Sequence, residues 1–190
     1  MSYVPSMSLG EVWSSLYSRE KSSNRDQFNV ILMDLRSIPY SEGTPFGGVG
    51  GKGCKDIRRT LRHSSTPIMA LSKFEDFLCT SSIPGGRVFL KLLHQLSPYV
   101  GSAQNIVFTH GDLRPNHIVV DVSGNVCTIT WILDWEYSGF YPEYYESIRW
   151  TKCLSPYDED DWYLYFPDCV SSKPYAHWWL LGRVRVLRVL

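Results

Sequence analysis

His110-Gly111-Asp112-Leu113-Arg114-Pro115-Asn116-His117-Ile118-Val119-Val120-Asp121, followed by Ile132-Leu133-Asp134-Trp135-Glu136, decides how this chain is read. It sets two acids, Asp112 and Asp134, each where an apolar, β-prone run meets a turn. Val107-Phe108 leads into the first, and Ile129-Thr130-Trp131-Ile132-Leu133 delivers the second. Phosphoryl transfer needs such a pair. One carboxylate orients or deprotonates the attacking hydroxyl or amine, and the other holds the magnesium that neutralises the phosphates.

His110-Gly111-Asp112-Leu113, then Pro115, with the later Leu133-Asp134-Trp135-Glu136, resembles the aminoglycoside phosphotransferase and choline kinase-like family, which is related to protein kinases. In that family the loop reads H-G-D-L-x-P-x-N. The resemblance implies that Asp112 is the catalytic base, that Asp134 binds Mg²⁺, and that His110 braces the loop by hydrogen bonding. Five places after Asp112, where the family has a metal-binding Asn, stands His117; Asn116 lies one place early. Magnesium prefers oxygen ligands in tight octahedral geometry, whereas imidazole suits zinc, copper or iron. A shift of the loop would let Asn116 serve instead, although strand neighbours point to opposite faces. Two expectations stand: weakened or lost metal binding at His117, or completion of the site by Asn116.

The likeness extends outward. Gly139-Phe140-Tyr141-Pro142-Glu143-Tyr144-Tyr145-Glu146 matches the segment after the second Asp, where the family packs a helix beneath the active site. Tyr3-Val4-Pro5, Leu9-Gly10-Glu11-Val12-Trp13 and Leu35-Arg36-Ser37-Ile38-Pro39 are similar to the hinge and first helices of the family's C-terminal lobe. Residues 3–8 would be the hinge remnant, with Tyr3 and Val4 beside the nucleotide. The resemblance thus runs from about Tyr3 to about Trp150, and 151–190 is left as an unassigned C-terminal segment. It implies a protein-kinase-like C-terminal lobe without the small lobe, its phosphate-covering loop and its nucleotide-pairing lysine. An exposed apolar cleft floor would follow, for a protein partner to cover.

Bulk composition fits one domain of 190 residues with a real core. The net charge is zero, so nothing favours nucleic acid or an anionic membrane as partner. No apolar run reaches the length of a membrane span, and the N-terminus lacks a secretory layout. Five scattered cysteines without Cys-x-x-Cys spacing read as reduced thiols, and the expected location is the cytoplasm. Seven Trp and twelve Tyr are expected to line core and cleft.

Phe28, Ile31, Leu32 and Leu35 recur at helical spacing, with Pro39 ending the run. A loop rich in Gly, Pro and Ser spans 40–56. Ser72 to Cys79 reads as a short helix with Ser72 as N-cap and Glu75 three places on. Val88, Phe89, Leu92, Leu93 and Leu96 mark an amphipathic helix. The period then changes. Ile106 to Thr109, His117 to Val122 and Val126 to Leu133 are β-prone, the last two joined by Ser123-Gly124-Asn125 as a hairpin turn. This order predicts an α+β lobe, mainly helical, whose short β-hairpin carries the catalytic loop and the metal-binding Asp.

Gly48-Val49-Gly50-Gly51-Lys52-Gly53 satisfies G-x-G-x-x-G by letter, but no β-run precedes it. It reads as a flexible loop over the substrate side. Glu136 is either a carboxylate supporting the metal ligands or a solvated side chain. Arg114 pairs either with phosphates or with a nearby acid. Asp158-Glu159-Asp160-Asp161 reads as a solvated acidic turn. For Arg183 to Leu190 an edge strand, a helix end and a segment foreign to the fold all stay open.

Two functions follow from the resemblance. One is ATP- and Mg²⁺-dependent phosphoryl transfer to a small hydroxyl- or amine-bearing molecule, with Asp112 as base and Asp134, Asn116 or His117 at the metal. The other is a non-catalytic, pseudokinase-like binding module.

Overall fold

The computed structural model describes residues 7–56, 62–79, 105–124, 126–151, 159–176 and 178–180, with single positions at 88, 91, 95 and 154. Tyr3 and Val4, most of the Val88 to Leu96 stretch, and Arg183 to Leu190 lie outside the described residues. The chain is a mixed α+β arrangement in which helices pack on small antiparallel sheets.

β1 (Met7–Ser8) runs into α1 (Leu9–Val12). The Glu11 carboxylate closes that first turn, accepting from the Ser8 backbone N–H at 2.6 Å and the Ser8 hydroxyl at 2.8 Å. α2 (Ser18–Arg36) then buries Phe28 and Leu32 and half-buries Ile31 and Leu35, the face that helical spacing predicts. It ends short of Pro39, since the residue before a proline is pushed out of the helical region.

The loop after α2 contains β2 (Gly47–Gly48) and β3 (Lys55–Asp56). This corrects the expectation of a strandless glycine loop. The Gly48 N–H donates to the Gly53 carbonyl at 2.9 Å, and Gly50 and Gly51 take positive φ between them. The glycines therefore make a closed turn beside a strand. β4 (Arg62–His63) pairs with β3. α3 (Leu71–Cys79) starts one residue earlier than expected. Ser72 is thus inside the first turn, and it is the Ala70 carbonyl that receives the Lys73 and Phe74 N–H groups.

β5 (Ile106–Thr109), β6 (Ile118–Ser123), β7 (Val126–Ile132) and β8 (Gly139–Pro142) follow. They assemble two sheets, ordered β1-β6-β7 and β2-β8-β5. The β6–β7 hairpin turns at Gly124, whose φ is +62°. β7 is an edge strand, and its outer backbone groups need partners. Gln27 of α2 supplies them: its Nε2 donates to the Cys127 carbonyl at 2.9 Å, and its Oε1 accepts from the Ile129 N–H at 3.1 Å.

Two cores flank the functional loop. One joins Leu9, Phe28, Leu32, Ile118 and Val120 to Trp150 and Trp162; the other joins Phe46, Phe74 and Ile68 to Tyr141, Tyr145 and Ile148. α4 (Tyr145–Trp150) has residues in both. Trp150 stacks on Trp162 with centroids 5.1 Å apart, and Trp13 meets Trp162 edge-on. In the acidic run Asp158 lies outside the described residues, Glu159 and Asp160 are exposed as expected, and Asp161 is a structural anchor. Asp160 accepts the Trp162 N–H at 2.9 Å, and Asp161 accepts from the Trp13 indole and the Lys21 ammonium, both at 2.8 Å. No helix among the described residues is long and apolar enough to cross a membrane.

Candidate functional site

Register brings the two acids together. Thr109 ends β5 opposite Gly139, so the loop that starts at His110 lies over the start of α4. Across the other sheet the Leu133 N–H donates to the His117 carbonyl at 2.8 Å, which extends the β6–β7 ladder by one rung and sets Asp134 beside His117.

The loop is held from below by α4. Glu146, fully buried, accepts the His110 N–H at 2.7 Å and the Gly111 N–H at 3.1 Å. Burial pushes its carboxyl above the ordinary value, while those two N–H groups and the Arg36 and Arg149 charges pull it back. Arg149, one turn further, donates from Nε to the Gly111 carbonyl at 2.7 Å. Its guanidinium reaches toward Asp112, with Nη2 3.8 Å from Oδ1. Gly111 has φ +83°, and a Cβ there would stand 2.6 Å from the Tyr137 carbonyl oxygen. The glycine of the motif is therefore a steric and conformational requirement.

His110 spans the loop. Its Nε2–H donates to the Leu133 carbonyl at 2.9 Å, and its Nδ1 accepts the Asp112 N–H at 3.2 Å. The ring sits 4.5 Å from that of Trp135. Burial above all holds this imidazole down at about 4, so it is neutral at physiological pH.

Asp112 is 1 % exposed, and Arg114 donates to its Oδ2 at 2.6 Å. Of the two partners open to Arg114 in sequence, the structure places it on the acid. Two cations within reach, Arg114 and Arg149, offset the cost of burying that carboxylate. His117 closes a short turn, Pro115–His117, rather than opening the strand. Its Nδ1–H donates to the Asp112 carbonyl at 2.8 Å, and its Nε2 lies 3.5 Å from Asp134 Oδ2. Asp112, His117 and Asp134 each offer a ligand atom, all within 4.8 Å of one another. Asp134 is the one residue other than glycine with positive φ among the described residues, at +64°.

Asn116 does not join this group. Its carboxamide is turned onto Gly10 of α1, so close that a Cβ on Gly10 would stand 2.0 Å from Oδ1. Completion of a metal site by Asn116 is thereby corrected: the turn aims His117 inward and its neighbour outward. Glu136 is exposed, and its backbone carbonyl accepts from the Lys55 ammonium at 2.7 Å.

Magnesium, which the resemblance implies, finds two carboxylates here, Asp112 and Asp134, and is ill matched at the third position. A hard dication needs oxygen donors, yet the position meant to supply an amide oxygen presents an imidazole nitrogen, and the available amide faces α1. Glu146 and Arg149 were missed in the sequence. The signal that could have found them is an opposite-charge pair at i, i+3 inside the aromatic run Tyr144 to Trp150, where lone charges are costly. No protein-family model, no curated protein and no solved structure matches this chain.

Proposed function

We propose that this chain carries the catalytic-loop lobe of a phosphotransferase of the aminoglycoside phosphotransferase and choline kinase-like kind. Its acceptor would be a small molecule bearing a hydroxyl or amine. Asp112 would orient that group and take its proton as the new bond to phosphorus forms and the donor's phosphate bond breaks. The observation that carries the reading is the convergence of Asp112 and Asp134 on a loop fixed from beneath by Glu146 and Arg149. Catalysis by positioning depends on such fixed geometry. Arg114, with a side chain 43 % exposed, has room to leave Asp112 and face an incoming anionic group.

A second reading, a non-catalytic pseudokinase-like module, is favoured by the burial of Asp112 beneath Arg114 and by His117 at the expected Asn position. The test is incubation with radiolabelled ATP and a panel of amino alcohols and aminoglycosides, with several divalent cations. Transfer that falls by about a hundredfold or more in Asp112→Asn supports the first reading. Absence of transfer in wild type and variant alike supports the second.

A further inference from the structure

We infer that His117 and Asp134, with Asp112 behind them, form a site for a first-row transition dication of the Zn²⁺ type in place of Mg²⁺. The inference deepens the phosphotransfer reading of this site and rests on it for the site's purpose.

The imidazole is already oriented as a ligand. A carbonyl oxygen can only accept, so the 2.8 Å contact with the Asp112 backbone fixes the proton on His117 Nδ1. In the neutral ring Nε2 then carries the lone pair, on the side of Asp134. A backbone carbonyl holding the far nitrogen is the usual support of a metal-binding histidine.

Distance favours a chelate over an ion pair. Zinc bonds of roughly 2.0–2.2 Å at tetrahedral angles set two ligand atoms about 3.4 Å apart. His117 Nε2 and Asp134 Oδ2 stand 3.5 Å apart, a span too long for a good hydrogen bond and close to that ligand-to-ligand separation. A dication could enter between them with little rearrangement. Asp112 belongs to the same group of atoms within 4.8 Å, but its Oδ2 lies 3.8 Å from the Nδ1 side of the ring and is held by Arg114, so it contributes its charge from behind.

Access and backbone agree. The Asp134 side chain is 37 % exposed and that of His117 15 % exposed, so the site opens on solvent and leaves coordination positions for water or an incoming group. Asp134 is held at φ +64°, a conformation seldom adopted without glycine and concentrated at functional positions. The imidazole then selects the ion, since a ring nitrogen suits zinc or cobalt and magnesium prefers oxygen donors throughout.

Titration of the full chain with Co²⁺, followed through its visible absorption bands, tests this without nucleotide or turnover. We expect one saturable equivalent, displaced by Zn²⁺ and not by about a hundredfold excess of Mg²⁺. His117→Asn and Asp134→Asn should each weaken Co²⁺ binding by about tenfold or more. Asn adopts positive φ as readily as Asp, so the second variant keeps the fold and covers a misfolded first. Equal Co²⁺ affinity and spectrum in wild type and Asp134→Asn, or displacement by equimolar Mg²⁺, would overturn the inference. Because cation binding alone is read, a silent phosphotransfer assay leaves this result standing, and a failed titration leaves that assay's result standing.

Discussion

Acid should destabilise this protein through His110, and the size of the effect can be worked out. The ring is 1 % exposed, and both its nitrogens are committed, one to the Leu133 carbonyl and one to the Asp112 N–H. A second proton would bury a charge and also set two N–H groups against each other at Nδ1. Burial is the chief cause that holds the folded imidazole at about 4, against 6.5 for the free side chain. Between those two values the unfolded chain carries one proton more than the folded chain. Stability is therefore intact above about pH 6.5 and falls as the pH falls, by about 1.4 kcal/mol per pH unit, until about pH 4. The total is about 3 kcal/mol, a large part of the roughly 5–15 kcal/mol that holds a typical domain together. Urea unfolding of wild type and His110→Gln over this range reads it directly. The variant starts lower, having lost the ring, but its stability should change less with pH. Parallel pH curves for the two proteins would refute the reasoning. So would an NMR titration of the folded imidazole with a midpoint near that of free histidine.

Three further outcomes are expected. Gly111→Ala combines φ +83° with a Cβ 2.6 Å from the Tyr137 carbonyl, and should cost about 2 kcal/mol or more in thermal unfolding; a loss under about 1 kcal/mol would mean that the loop relaxes freely. Trp150→Ala removes a side chain that is 1 % exposed and lies among Phe28, Trp162 and Phe166, so chemical denaturation should show a loss of about 3–5 kcal/mol. A much smaller value would show that this core closes over the gap. Asp134→Gly relieves a left-handed backbone and should leave stability within about 1 kcal/mol of wild type while abolishing Co²⁺ binding; a larger loss of stability would make this acid a structural brace.

Much of the fold is legible because its signals are local. β-prone runs marked β6 and β7 to within a residue at each end, and helical spacing marked the buried face of α2. Ser72 shows the limit: a good capping residue lies inside α3, whose Phe74 and Leu78 are buried in the core. The glycine run shows another. Its purpose lies in close contact between Gly47 and Gly139, where a Cβ on Gly139 would stand 2.1 Å from the Gly47 carbonyl. No window of sequence holds both residues.

The site divides the same way. The sequence by itself supplied the candidates: Asp112 and Asp134, each where a β-prone run meets a turn, with Asn116 and His117 left as alternatives for the position where oxygen chemistry would ask for an asparagine. Only the tertiary structure decided where they point. Hairpin register set His117 against Asp134, a turn swung Asn116 onto α1, and α4 brought Glu146 and Arg149 beneath the loop. The physical reason is that side-chain identity fixes what an atom can bond, while the bonds that orient it come from residues distant in the chain. Those partners meet only when two sheets and a helix have closed on one another.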